Sequence, residues 1–271
     1  MEKMKLSVII PAYNEEGNIG KCLRSLMVQS FKPQQIIVVD DGSTDRTLNV
    51  VSKYDDGSFQ IVVRPKHGKG NVQRVPYVIR DGSRLLDDDC GFIAILDADT
   101  VLEKDYYLKI VNALIRNPRV GIAGGKLFNQ PETGLILGLI PYVYGCNRVY
   151  TKECWMKIND GKIMKPVPAW DTYHNLYARM LGFNPTRFDN AISWSLRIAR
   201  TSTPFKKGYE AYQLGYYPWF LLGRCAKDFT PSMLAGFLKA CFSGEQQYPV
   251  KQIVRYMQME RIKHILKVGA R

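Results

Sequence analysis

Five residues without a polar break, Phe92 to Leu96, run directly into Asp97-Ala-Asp99 about a third of the way along the chain. An unalternating apolar run of that length reads as a strand buried on both faces of a parallel sheet. Met4 to Ile10 and Gln35 to Val39 predict two earlier strands, and Phe59 to Val63 a shorter third. Between them Ile19, Cys22, Leu23, Leu26 and Met27 recur at helical spacing with Asn18 placed as the cap, and Ser43 through Asp45 offer caps for a helix to about Lys53. This regular alternation of strand and helix predicts parallel βαβ units. Asp81 to Cys90 reads as an acidic loop. Further on, Glu103 to Asn117 predicts a helix with Leu108, Val111 and Ile115 on one side, and Val120 to Gly124 a strand. Phe128 to Pro141 has no strong periodicity. A helix opening at Pro168 carries Leu176, Met180 and Leu181 and stops at Gly182.

The breaks after the strands carry the candidate chemistry. The first ends in Pro11-Ala-Tyr-Asn-Glu-Glu16 and the second in Asp40-Asp-Gly-Ser-Thr-Asp45. Asp97 and Asp99 emerge at the carboxyl end of the central strand, where open α/β sheets bind ligands, and their hard oxygens suit a divalent cation such as Mg²⁺ or Mn²⁺. The same pair also fits a strand end followed by a turn cap. Lys66 to Arg74 is a basic, glycine-bearing turn ahead of a helical stretch. Lys69 and Arg74 there suit a diphosphate or simply face water, and Pro76 predicts an irregular helix.

Composition narrows the classes. With 271 residues and 46% hydrophobic content the chain is globular, large enough for one α/β domain or a domain with an extension. No apolar run reaches the roughly 18 residues of a membrane span, and no signal-peptide layout precedes the first strand, so a cytoplasmic protein is expected. Six cysteines, at 22, 90, 146, 154, 225 and 241, form no C-x-x-C pair; reduced packing residues are expected rather than a zinc site. The net charge of +13 is uneven. Residues 196–271 hold 13 Lys and Arg against 4 Asp and Glu, or +9, which leaves +4 for residues 1–195. In that tail a helix from Val250 to Val268 places Val250, Ile253, Val254, Met257, Ile265 and Leu266 near one side, with Lys251, Arg255, Arg261, Lys263 and Lys267 supplying charge. Such a helix lies in a membrane interface, covers the core or pairs with a second subunit.

The order Val8-Ile-Ile-Pro-Ala-Tyr-Asn-Glu-Glu16, Ile37-Val-Val-Asp-Asp-Gly-Ser-Thr-Asp45 and Ala94-Ile-Leu-Asp-Ala-Asp99 resembles the inverting glycosyltransferase family 2. The likeness is strong over about the first 125 residues and weaker to about Phe183. It implies the GT-A fold, an α/β, Rossmann-like, mostly parallel sheet flanked by helices. The expected division is a domain over 1–205, with a nucleotide-binding half 1–125 and an acceptor half 126–205, then a helical, basic amphipathic extension over 206–271. It further implies a nucleotide-sugar site at Pro11, Ala12, Tyr13, Glu15, Asp41, Lys69, Arg74, Asp97 and Ala98, with Asp99 and Asp97 as ligands of Mn²⁺ or Mg²⁺. The base would lie by Tyr13 and bond Asp41, with Glu15 on the ribose; an aromatic face and a carboxylate accepting an imide N–H are sound chemistry for that. Read without the resemblance, Tyr13 is a half-buried loop aromatic and Asp40 and Asp41 cap a helix. In the family a Glu-Asp pair at a helix start, followed by an arginine, supplies the catalytic base. Here Trp170 departs from that pattern, Asp171 matches the second member and Arg179 stands where the arginine is expected. Asp171 otherwise reads as a plain N-cap, and His174 as a wall or surface residue.

No Gln-x-x-Arg-Trp box or transmembrane run is visible, which favours single addition over polymer synthesis. The expected function is transfer of one sugar from a UDP-, GDP- or dTDP-sugar to a hydroxyl or lipid-linked acceptor, by a cytoplasmic protein that is either soluble or peripheral on an anionic membrane surface. One alternative is a polyprenyl-phosphate sugar synthase, whose ionised acceptor needs little base catalysis. Another is a non-catalytic nucleotide- or RNA-binding protein, although carboxylates at the strand ends repel a phosphate backbone and no nucleic acid is expected. An NAD-dependent dehydrogenase lacks its G-x-G-x-x-G.

Overall fold

The computed structural model describes residues 5–55, 57, 59–65, 74–129, 135–136, 143–167, 169–197, 203–228, 230–245, 247, 252, 256 and 259. They fall into two compact units, one from Met1–Pro166 with Leu181–Ala199, the other from Val167–Met180 with Arg200–Arg271. The segment carrying Asp171 thus groups with the C-terminal helices, not with the sheet.

The first unit contains β1 (Lys5–Ala12), α1 (Ile19–Met27), β2 (Gln35–Asp40), α2 (Thr47–Ser52), β3 (Phe59–Val63), α3 (Arg74–Ser83), β4 (Cys90–Leu96), β5 (Thr100–Leu102), α4 (Tyr106–Arg116), β6 (Ile122–Asn129), β7 (Leu135–Ile136), β8 (Asn147–Thr151), α5 (Lys152–Asn159) and β9 (Thr186–Ser195). The second contains α6 (Trp170–Met180), α7 (Pro204–Gln213), α8 (Pro218–Asp228) and α9 (Pro231–Phe242).

The strands form one sheet in the order β3-β2-β1-β4-β8-β6-β9-β5, with β7 on β6. β3, β2, β1 and β4 run parallel; β8 enters antiparallel to both β4 and β6, and β9 pairs parallel with β6. The sheet must curl. Leu96 of β4 and Thr100 of β5 are joined by only Asp97, Ala98 and Asp99, a reach of about 14 Å, whereas the four strand spacings between β4 and β5 span about 19 Å in a flat sheet. The carboxylate turn therefore sits where the curl closes.

β1, β2 and β4 are buried on both faces, as their apolar residues require, while β3 at the edge is partly exposed. Leu6, Val8, Ile10 and Ala12 join α1 and α4 in one cluster, whose helical contributors include Ile19, Cys22, Leu23, Leu26, Tyr106, Tyr107, Ile110, Val111 and Leu114. The other face receives α3, which comes so close that a Cβ on Gly82 would stand 2.8 Å from Ile9 Cγ2 and 2.9 Å from Val39 Cγ2. In the second unit α7 and α9 touch backbone to backbone. A Cβ on Gly208 would meet the Met233 carbonyl oxygen at 1.7 Å, and one on Gly236 the Phe205 oxygen at 1.9 Å.

Several local expectations are corrected. β1 runs through Pro11 to Ala12; its ladder to β4 ends at Ile9 opposite Ile95, so the missing N–H leaves no bond unmade on that side. Pro76 lies in the first turn of α3, where a missing N–H is tolerated. Asp81 belongs to α3, not to a loop, since the helix continues to Ser83 with Gly82 and Ser83 buried, and Arg64 Nε pairs with the Asp81 carboxylate at 2.8 Å. Asn18 precedes α1 but caps nothing; its amide donates to Glu15 Oε2 at 2.9 Å. Met27, Leu108 and Ile115 are exposed, since the cores of α1 and α4 need only a narrower stripe. β5, β8, β9 and α5 had no counterpart in the periodicity. The Lys66 turn up to residue 73, most of Phe128–Pro141 beyond β6, Pro168 and most of the Val250–Val268 helix lie outside the described residues.

Candidate active site

Parallel strands that begin on one side of a sheet end on the other, and here β1, β2 and β4 end at one level. Ala12 pairs with Asp40, and Asp97 lies two residues past the Ile9–Ile95 pair, as Pro11 does. The loops leaving them are laced together. Asn14, at φ 53°, uses the left-handed region that Asn tolerates. Its N–H donates to Ser43 Oγ at 2.9 Å and its Oδ1 accepts from the Thr44 N–H at 2.8 Å. Glu15 N–H donates to Thr47 Oγ1 at 2.8 Å, and Glu16 Oε2 accepts from the Arg46 N–H at 3.0 Å. The Asp41 N–H closes the lacing on the Ala12 oxygen at 2.8 Å.

Two clusters stand on this frame. In the first, the Asp41 carboxylate, 3% exposed, accepts from Arg64 Nη1 at 2.5 Å and Arg74 Nε at 2.6 Å, while Arg74 Nη2 donates to the Asp41 carbonyl at 2.9 Å. The Arg74 guanidinium lies over the Tyr13 ring, 4.1 Å from its centroid, a cation–π contact. Burial opposes the charge on Arg74, but its bonds to Tyr13 and Asp41 prevail and hold it above the usual arginine range. Arg64 also bonds Asp81, so the end of β3 is tied to α3.

In the second cluster Arg197, just past β9, donates from Nη2 to Glu15 Oε1 at 2.5 Å and to the Asn14 oxygen at 3.3 Å, with its Nε 3.9 Å from Asp99 Oδ2. Burial pushes the Asp99 carboxyl up, tempered by Arg197. Burial likewise raises Glu15, against the bond from Asn18 and the charge of Arg197 and with the charge of Asp99. Both carboxylates thus favour a nearby cation. The Asp97–Asp99 turn, which leaves β4, is held by residues flanking β8 and β9: Asp97 N–H donates to the Cys146 oxygen at 3.0 Å, and the Asp99 oxygen accepts from Leu196 N–H at 2.8 Å. Among the described residues no group of three or more His, Cys, Asp and Glu forms a metal cage. Two carboxylates completed by donor phosphates fit Mg²⁺ or Mn²⁺, which bind protein sparingly and phosphate readily.

The glycosyl transferase family 2 model matches residues 7–172. The chain belongs to glycosyl transferase family 2. Curated relatives of this family 2 chain include glycosyltransferase GlyA of Streptococcus pneumoniae, 26% identical over 68% of the chain and 26% of that protein. An N-acetylglucosaminyltransferase of Azorhizobium caulinodans is 30% identical over 59% of the chain and 37% of that protein. The chain therefore spans only about a quarter to two-fifths of these relatives. Among solved structures, Staphylococcus aureus TarS 1–349 with UDP-GlcNAc superposes with TM-score 0.58 at 21% identity, over 78% of this chain and 65% of that one. A Pyrobaculum calidifontis mannosyltransferase with GDP-Man and Mn²⁺ gives 0.59 at 17%, over 93% and 68%. The family 2 chain has the GT-A fold.

The first unit brings Pro11, Ala12, Tyr13, Glu15, Asp41, Arg74, Asp97, Ala98 and Asp99 to one end of the strands. Lys69 lies outside the described residues. Arg74 stands with Asp41 and Tyr13 rather than by the carboxylate turn. Asp171 lies in the first turn of α6 in the second unit, its Oδ1 accepting from Thr172 N–H at 2.7 Å. There Glu210 is raised by burial and further by the charge of Asp171, against Lys206. His174 is fully buried beside Trp170 and Tyr173, contrary to a surface placement, and the buried side of α6 is Trp170, Tyr173, His174, Asn175 and Ala178. Two site residues escaped the sequence. Arg64 was findable, since it leaves the carboxyl end of β3 as Asp41 leaves β2. Arg197 was not, because the strand that delivers it carries no clear period.

Proposed function

We propose that the chain transfers a single sugar from a nucleotide-sugar to an acceptor hydroxyl, with inversion and a divalent cation. The observation that carries this is the pairing, at one end of three parallel strands, of an aromatic–carboxylate–guanidinium cluster with a raised carboxylate turn. Tyr13 offers its face to the base and Asp41 accepts the base N–H. Arg74 is reassigned from the diphosphate to this base side. Glu15 serves the ribose, and Pro11, Ala12 and Ala98 line the nucleotide with backbone. Asp97 and Asp99 would hold Mn²⁺ or Mg²⁺, which when bound supplies positive charge to the departing diphosphate. Arg197 adds a second cation there.

The base is Asp171, by its match to the family motif. It takes the proton of the acceptor hydroxyl as that oxygen attacks the sugar C1; the bond from C1 to the phosphate oxygen breaks, and the nucleoside diphosphate leaves with the electron pair. UDP-N-acetylglucosamine is the first donor to test, since relatives named N-acetylglucosaminyltransferases and the TarS complex both favour it. The positive excess after residue 196 supports a cytoplasmic-face, peripheral location and a lipid-linked acceptor. If that acceptor is a polyprenyl phosphate, Asp171 has little to do. Asp171→Asn therefore decides: donor affinity stays near wild type and turnover on a hydroxyl acceptor falls by about 10² to 10⁴. Turnover within about threefold of wild type removes Asp171 as base.

A further inference from the structure

We propose that α8 and α9 dock on an anionic lipid surface through apolar stripes that the fold leaves exposed. On α8, Trp219, Leu222, Gly223 and Ala226 follow i, i+3, i+4, i+7, and all are exposed, Trp219 by 57%. Its ring stacks with Tyr217 at 6.0 Å. On α9, Pro231, Ala235, Leu238 and Phe242 follow i, i+4, i+7, i+11 and are also exposed, Phe242 by 84%. The buried side of α9 is Met233, Gly236, Phe237 and Ala240, so this helix is apolar all round, with Lys239 its one charge. A surface helix normally turns polar residues to water, and a helix apolar on both faces calls for a second apolar partner.

Charge selects that partner. Residues 200–271 hold 12 Lys and Arg against 4 Asp and Glu, a net +8, and Lys206 and Lys207 on α7, which packs on α9, and Lys239 on α9 itself are exposed. A second copy brings the same sign and is repelled, whereas an anionic leaflet attracts. Tyr and Trp favour the headgroup level. No helix among the described residues is long and apolar enough to cross a membrane, so the contact lies on the surface. The inference deepens the peripheral reading above and does not depend on the transferase chemistry.

The test is flotation of the full chain, without donor, on phosphatidylcholine vesicles and on vesicles with added phosphatidylglycerol. The protein is expected to float with the anionic vesicles at low salt, and high salt is expected to release it. Trp219→Glu combined with Phe242→Glu is expected to lower partitioning about tenfold; both side chains are exposed, so circular dichroism, melting and donor affinity stay unchanged. Lys206→Gln with Lys207→Gln is expected to flatten the salt dependence. Absence of flotation at low salt, equal binding to neutral vesicles, or full binding by the Trp219/Phe242 variant overturns the proposal. So does sedimentation equilibrium showing that this variant dissociates a dimer while vesicles take up nothing, which assigns the face to a second copy. Donor affinity, read separately, reports on the transferase proposal alone.

Discussion

The two halves of the sheet are held together by different chemistry. In the parallel half the interior is Leu, Ile and Val from β1, β2 and β4, with Val8, Ile9, Ile10, Ile37, Val38, Val39, Ala94, Ile95 and Leu96 shut off from water. In the antiparallel half, buried polar groups carry the joint. Arg148 is fully buried and donates to the Val143 oxygen at 2.6 Å, the Tyr144 oxygen at 2.9 Å and the Tyr150 hydroxyl at 3.1 Å. Asn147 Nδ2 donates to Ser193 Oγ at 2.7 Å, and Tyr106 takes the Gly125 N–H at 2.7 Å while giving its own proton to the Asn147 oxygen at 2.5 Å. Apolar burial is non-directional and charges each change by volume, whereas a buried polar lattice needs every partner. The Asp97–Asp99 turn leaves β4 of the apolar half and is bonded twice by the other half, to Cys146 ahead of β8 and to Leu196 after β9. Its position thus depends on the directional half as well as the apolar one.

The contrast can be broken by three substitutions. Arg148→Met keeps the bulk but removes the buried guanidinium's bonds to the Val143 and Tyr144 carbonyls and the Tyr150 hydroxyl, and should cost about 3 kcal/mol in urea unfolding. Gly82→Val forces a branched side chain against Ile9 and Val39, an overpacking worth about 2 kcal/mol by the same measurement. Ile9→Val removes one methyl from the apolar half and should cost only about 1 kcal/mol. If Ile9→Val proves as damaging as Arg148→Met, the two halves do not differ in kind.

The same contrast explains what was legible in the sequence. Mostly apolar runs announced β1, β2, β3 and β4, and through them the turns bearing Tyr13, Asp41, Asp97 and Asp99. β8 could not be read, because Asn147 and Arg148 look like surface residues until Gly125 and Ser193 arrive from elsewhere in the chain to bond Asn147 and the Val143 loop folds back over Arg148. β9 mixes Arg187, Asp189 and Asn190 with Phe188 and Trp194, hiding both the strand and Arg197 at its end. Arg74 was seen as a site cation but given to the diphosphate, since only the fold brings Asp41 and Tyr13 to it. Asp171 was visible only through the family motif; as a lone aspartate it is an ordinary first-turn residue.

On the proposed function the carboxylate turn binds a divalent cation together with the donor. Isothermal titration of UDP-N-acetylglucosamine and GDP-mannose, with and without Mn²⁺, into wild type and Asp99→Asn tests it most directly. Donor affinity is expected to rise with Mn²⁺ in wild type and to fall at least about tenfold, or about 1.4 kcal/mol, in a folded Asp99→Asn variant. Unchanged Mn²⁺-dependent affinity in that variant would contradict it.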